Sequence, residues 1–479
     1  MKKTVVSALA LVVVVLALAG TLGFYQVRAT VNAPADLVTT WSSSGERLRI
    51  TSVAVFDDHS GQLRQAEAVD IEEGLIARVY WAGDEVPASQ VETLRGEGRT
   101  LLPGLTDFHV HLGSSDGRPP WALDGIDMIS VAGQREAFLY SGVTSVVEGS
   151  PNALASLDQA LAPSPAIYQA TRMITAEDGH PIPMFREFVP WPMTEMAINE
   201  QVLPIGSAAA SSDALDALVN GPGHHVKLVL DGAIPWDSPR LAEADVRAVV
   251  ERAHAAGKPV YTHVGSAQDA VIAARAGSDV LMHTPYVDLL SDDDLAELKA
   301  SGVVVVTTAQ IWEWFERGLD KQPPLTPLEQ ELASPGLLTA WGHDWHQATA
   351  DYHSTTFSQD YLSRLSGFNA NLAENVKRLY QAGVPQVIGT DTGIPGLTPG
   401  ASTIRELQLL QSYGFEPTDL LRMATVAPGA LLGNSGLGRI QPGSPADLLL
   451  VDGDPTQDIA ELAKLAFVIR EGVVYQRHR

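Results

Sequence analysis

Eight short apolar runs, each followed by helix-like sequence, occupy the middle of this chain. They are Leu105–His111, Val143–Glu148, Ala166–Thr171, Val226–Leu230, Pro259–His263, Asp279–His283, Val303–Thr307 and Gln386–Asp391. Helical stretches such as Glu243–Ala256 and Ala267–Ala276 lie between them, and Gly257, Gly277, Gly302 and Gly383 follow where helices should stop. Strand alternating with helix requires parallel strands joined by crossovers. Eight such units predict an α/β fold built as a (β/α)8 TIM-like barrel. A doubly wound open sheet is the alternative topology, but no Gly-x-Gly-x-x-Gly phosphate turn supports it. In such a barrel the chemistry sits where strands end and loops begin.

The flanks read differently. Arg47–Phe56, Ala68–Ile71 and Leu75–Tyr80 near one end are short strands separated by turn residues, and Asp447–Asp452 and Ala466–Tyr475 repeat the pattern at the other. A small β-sandwich domain assembled from both termini is expected, from residues 45–103 and 430–479. It would bracket a barrel over residues 104–429, with residues 30–44 as a linker. Residues 1–29 stand apart. Lys2 and Lys3 precede an apolar run from Val5 to Tyr25, which reads as a signal peptide or a membrane anchor. The positive residues ahead of it place the body outside the cytoplasm, in the periplasm or beyond, either released or tethered by residues 5–25. Membrane contact is expected through this segment alone.

Composition narrows the chemistry. Aspartate and glutamate outnumber lysine and arginine by 57 to 32, giving a net charge of −25. That surface repels nucleic acid and anionic lipid, so neither is an expected partner. The chain of 479 residues has no cysteine, which excludes disulfides, thiolate metal sites and thiol nucleophiles. Any metal must be held by histidine, carboxylate or a modified lysine.

His109 and His111 meet that requirement. At i and i+2 they project from one face of a strand, so both imidazoles can reach one ion. A bare His-x-His is more often a polar strand end without metal. Here, however, Lys227, His263, His283 and Asp391 follow in order, all but Lys227 at the end of a strand-like run. Lys227 lies one residue into its strand, where the bland reading is a lysine snorkelling to solvent. His224, His225 and His254 read as surface residues. His343, His346 and His353 read as lid or surface within a Trp-rich insertion.

Together these residues resemble the amidohydrolase superfamily, in its imidazolonepropionase-like or prolidase-like branch, from about residue 45 to the C-terminus. Pro103-Gly-Leu-Thr-Asp-Phe-His-Val-His111 is similar to the family's first-strand motif, Ser141-Gly-Val-Thr-Ser145 to its second and His224-His-Val-Lys-Leu228 to its lysine strand. Gly389-Thr-Asp-Thr-Gly393 resembles the final aspartate motif and Gly443-Ser-Pro-Ala-Asp-Leu448 the return into the small domain. The resemblance implies a cofactor of two divalent metal ions, zinc by ligand type. His109, His111 and Asp391 would hold the first, His263 and His283 the second, and Lys227, carboxylated on its amine, would bridge them. A hydroxide between the metals would attack a carbonyl, with Asp391 as catalytic proton shuttle to the leaving nitrogen.

Some positions depart from the family pattern. Met282 stands where an acid precedes the sixth-strand histidine, Glu148 where an aspartate is common, and Thr175-Ala-Glu-Asp-Gly-His-Pro181 replaces a Gly-Gly-His-like loop. His180 and Tyr286 are the candidate substrate contacts. Trp312, Trp314, Trp341 and Trp345 either form an apolar lid or pack the insertion against the barrel. The implied function is hydrolysis of an amide or cyclic-amide C–N bond in a small molecule. The alternatives are a prolidase-like dipeptidase, a deaminase of the same fold, and a catalytically inactive anchored binding protein. Whether the chain forms a homo-oligomer is open.

Overall fold

The computed structural model describes residues 26, 28–42, 47–119, 122, 130–151, 163–189, 191, 193–234, 237–313, 325–342 and 359–478. The apolar run Val5–Tyr25, Trp314, Trp345, His343, His346 and His353 lie outside them. No helix among the described residues is long and apolar enough to cross a membrane.

Six strands come first: β1 (Val38–Ser42), β2 (Arg47–Asp57), β3 (Gln62–Glu72), β4 (Leu75–Trp81), β5 (Glu92–Arg95) and β6 (Thr100–Pro103). Ten follow in the middle: β7 (Leu105–Val110), β8 (Val143–Glu148), β9 (Ala166–Tyr168), β10 (Met173–Ala176), β11 (Val202–Ile205), β12 (Val226–Leu230), β13 (Val260–Val264), β14 (Val280–Leu281), β15 (Val304–Val306) and β16 (Gln386–Val387). The last three are β17 (Leu448–Val451), β18 (Leu465–Arg470) and β19 (Val473–Arg477).

Strands from the two ends form one nine-stranded sheet, in the order β1-β19-β18-β17-β6-β2-β3-β4 with β5 beside β2. β2 shows why it folds. Leu48, Ile50, Val53 and Val55 are buried against Leu101, Leu448, Leu450 and Ile469, so burial ties the two termini together. The turns Glu73-Gly74 and Glu471-Gly472 have positive φ at both residues, the form that matches hairpin twist. Residues 30–44, read above as a linker, contain β1, which pairs with β19. The Glu136 carboxylate secures this segment by accepting the N–H groups of Ala35, Leu37 and Val38 at 2.7, 2.7 and 3.0 Å.

The middle is α/β with parallel sheets. One has the order β7-β8-β9 and the other β11-β10-β12-β13-β14-β15-β16. Every one of the eight expected runs contains a strand, and Gly277 and Gly302 cap their helices in the left-handed conformation. β10 and β11 are additions. Each is four residues long, and the second, which contains Pro204, pairs with β10 at the edge of the sheet. Backbone contacts run from both edges of the small sheet to the large one. Val110 bridges Thr392, and Ala170 bridges His225. Phe108, Val147, Tyr261, Val280, Val306 and Val387, from six different strands, share one buried cluster.

Candidate metal centre

The strands of the middle unit end around a group of imidazoles. His109 lies near the end of β7, and its Nδ1 donates to the Met282 carbonyl at 3.0 Å. A carbonyl only accepts, so Nε2 is left with a lone pair. His111, just past the strand, is hydrogen-bonded at Nδ1 to Ser150 Oγ at 3.1 Å. Both Nε2 atoms approach Asp391 Oδ1, at 3.3 and 3.0 Å. The ligand atoms of these three residues all lie within 4.8 Å of one another. Asp391 Oδ1 nevertheless makes no hydrogen bond among the described residues. Two imidazole nitrogens and a carboxylate oxygen facing one another lack a positive charge between them. A divalent cation supplies it, so the residues fit a metal.

Lys227 projects from β12 to the same place, its Nζ 3.4 Å from His109 Nε2. Burial lowers its ammonium to about 7, with the Asp391 charge opposing the shift. On the far side, His283 is hydrogen-bonded at Nδ1 to Thr308 Oγ1 at 3.1 Å, and its buried Nε2 has no partner among the described residues. Its ring lies 4.7 Å from that of His109 and 4.4 Å from that of His263. His180 stacks on His263 at 4.8 Å and is held at Nδ1 by the Ile234 carbonyl at 2.6 Å. Burial, then the neighbouring cationic and imidazole groups, pushes His109 and His283 well below the ordinary histidine range. Burial first takes His180 to about 4. Neutral imidazole is the form that binds metal.

The backbone around these groups is unusual. Asp391 has a φ of 64° and Thr308 one of 41°, conformations that cost about 1–3 kcal/mol each and concentrate at functional sites. Hydrogen bonds hold the first in place, from Asp391 N to His109 O at 2.7 Å and from His111 N to Thr392 O at 2.6 Å. Asp107 braces the same crossing. Its carboxylate accepts from Thr390 N at 3.0 Å, Thr390 Oγ1 at 2.8 Å and Thr403 Oγ1 at 2.7 Å. Glu148 accepts from Leu112 N at 3.0 Å, which fixes the chain just after His111, and burial raises its carboxyl well above the ordinary range.

Gly149 leaves room for the pair. A Cβ there would stand 2.6 Å from His111 Cε1 and 2.7 Å from His109 Nε2. Gly149→Ala is therefore expected to displace both rings and weaken metal binding roughly 10–100-fold, the cost of misorienting ligands, with circular dichroism unchanged. Unaltered affinity in a chelator competition would contradict this crowding.

Sequence reasoning missed Asp231, which lies just past β12. It is buried, accepting from His263 Nε2 at 3.0 Å and from the Tyr286 hydroxyl at 2.8 Å. Burial would raise its carboxyl, but His263, His180 and the Ala233 N–H together outweigh it and hold the carboxyl at about 2. The signal was the spacing, since Lys227 and Asp231 are four apart and so share a strand face. Tyr286 is 2% exposed and packs on Trp312 and Phe368 at 4.8 and 5.4 Å. His225 is a correction. Rather than lying on the surface it is fully buried and stacks on Tyr261 at 4.2 Å. A cavity of about 380 Å³ opens beside Asp231, between the loops that follow β12, β13 and β14.

The chain resembles known proteins in sequence and in fold. The ochratoxinase of Aspergillus niger is 25% identical over 246 residues, 49% of this chain and 42% of that protein, so the match spans under half of that relative. The imidazolonepropionase of Ectopseudomonas mendocina is 23% identical over 465 residues, 89% of this chain and 94% of that one. A crystal structure of a Xaa-Pro dipeptidase with bound methionine in the active site superposes with a TM-score of 0.71. Its identity is 19%, over 90% of this chain and 100% of that one, a likeness of fold. The amidohydrolase family model matches residues 100–475. With most of its length matched, the chain belongs to the amidohydrolase family.

Proposed function

We propose that the protein is a metal-dependent hydrolase that cleaves the C–N bond of an amide or a cyclic amide. One observation carries the reading. The Nε2 atoms of His109 and His111 converge with Asp391 Oδ1, with Lys227 Nζ 3.4 Å from His109. His109, His111 and Asp391 would hold one divalent ion, and His263 and His283 a second, both zinc. Lys227 would join them as a carbamate. Its neutral amine nitrogen bonds to the carbon of CO2 and releases a proton, a step favoured by the burial that lowers its charge. When bound, the metals supply an acidified water and an electrophile for the substrate carbonyl.

The chain's own groups do the rest. The Asp391 carboxylate takes the proton from the attacking water and returns it to the leaving nitrogen. His180, held at Nδ1 by the Ile234 carbonyl and stacked on His263, would contact substrate through Nε2. The buried surroundings of Lys227 and His283 exclude bulk water from the reacting atoms.

The same reading closes the two parallel sheets into a (β/α)8 barrel over residues 104–429. The bridges Val110–Thr392 and Ala170–His225, and the cluster drawn from six strands, support closure. It also folds the terminal sheet, drawn from residues 45–103 and 430–479 with β1 added at its edge, into a sandwich, an arrangement supported by the buried cluster that Leu48, Ile50, Leu448 and Ile469 share. Residues 5–25 would export the body and release or tether it. Fractionation should find the protein outside the cytosol, and wholly cytosolic protein would end that part of the proposal.

A dipeptide substrate is the second reading, favoured by the likeness to the Xaa-Pro dipeptidase structure. A panel of Xaa-Pro and other dipeptides, N-acyl amino acids and cyclic amides tests both. Turnover of dipeptides alone selects the second. Zinc-loaded protein that cleaves none of them would instead be the inactive binding protein.

A further inference from the structure

Resting on the two-metal reading, we propose that Asp231 is a positioning residue that presents His263 to the second metal through Nδ1, and that Tyr286 acts through Asp231 rather than on substrate. The other candidate ligand histidines are hydrogen-bonded to the surrounding protein at Nδ1, which leaves Nε2 to face the metal position. His263 is reversed, with its Nε2 3.0 Å from Asp231 Oδ2. An ionised carboxylate only accepts, so Nε2 carries the proton and Nδ1 the lone pair. That choice of nitrogen decides which ring atom faces the gap beside His283, whose centroid is 4.4 Å away.

The carboxylate is itself fixed. Oδ1 accepts from Ala233 N at 2.7 Å, and Oδ2 also accepts from the Tyr286 hydroxyl at 2.8 Å. Tyr286 cannot swing freely, because its ring is wedged against Trp312 and Phe368. A Cβ at Gly265 would collide with Asp231 Oδ1, so the glycine two residues after His263 is part of the same device. A carboxylate hydrogen-bonded to a ligand imidazole fixes its tautomer and orientation, and its loss weakens metal binding about 10–100-fold.

Zinc binding to the full chain, measured by competition with a chromophoric chelator and by elemental analysis, tests the proposal. The wild type should bind two Zn2+ per chain. Asp231→Ala should weaken one of them about 10–100-fold and leave the other unchanged. Asp231→Asn, whose amide oxygen still accepts from Nε2, should recover part of the loss. Adding Asp231→Ala to His263→Ala should weaken zinc no further, since both act on one interaction. Tyr286→Phe should weaken the same zinc by a smaller factor. Should the alanine variant fail to fold, the asparagine variant decides: selective weakening of one zinc supports the proposal, and two unchanged affinities overturn it. Tyr286→Phe that raises KM and leaves both zinc affinities intact would also overturn it. A wild type that binds fewer than two zinc ions would instead remove the two-metal reading on which the proposal stands.

Discussion

Lys227→Ala is expected to lose most of its metal and its turnover, and small carboxylates should restore part of both. Lys227 is 1% exposed, with its Nζ 3.4 Å from His109 Nε2 and its charge lowered by burial. As a carbamate it would add an anionic two-oxygen bridge to a site otherwise rich in neutral imidazole. Truncation removes the bridge and leaves an enclosed space where the side chain ran. Acetate or propionate can enter that space and present two oxygens again. The fall in kcat should be at least that of losing an acid–base group, roughly 10²–10⁴-fold. Metal analysis and turnover, with and without added propionate, check it. An alanine variant with full metal and normal turnover would exclude a bridging lysine.

Asp391→Asn separates metal binding from proton transfer. Asparagine keeps the size and one carbonyl oxygen but accepts no proton at neutral pH. It also tolerates the left-handed backbone, so the φ of 64° is no obstacle, as it would be for most residues. His109 and His111 remain engaged at Nδ1 by Met282 and Ser150, and occupancy of the first position should fall little. The kcat should drop roughly 10²–10⁴-fold, with a much smaller change in KM because the shuttle acts in the transition state. Metal content and kcat on one preparation decide the matter. A variant with both metals and near wild-type kcat would mean that Asp391 is not the shuttle.

Much of the fold was legible because the βα period is a local pattern, and His109 and His111 stood out by their i, i+2 spacing. The eight apolar runs all contain strands, and the glycine stops are where helices end. What the sequence hid depends on packing. β10 and β11 are too short to show a period, and they exist because β10 pairs with β12 through Ile174 and Leu228. Asp231, Ser150 and Thr308 come from loops after different strands, and only the folded chain brings them to His263, His111 and His283. His225 has the polarity of a surface residue, but its place two positions before Lys227 puts it on the same inward strand face. There the Tyr261 ring covers it. Tyr286 is expected to contact substrate from the likeness of its loop to the family's, and the sequence does not show that its hydroxyl is bonded to Asp231.

Removing and restoring the metal tests the central claim most directly. Purified protein should be stripped with a chelator, assayed against dipeptides, N-acyl amino acids and cyclic amides, then reloaded with Zn2+ while bound metal is counted by elemental analysis. A metal-dependent centre predicts turnover that disappears on stripping and returns as occupancy approaches two per chain. Full turnover by metal-free protein would contradict it.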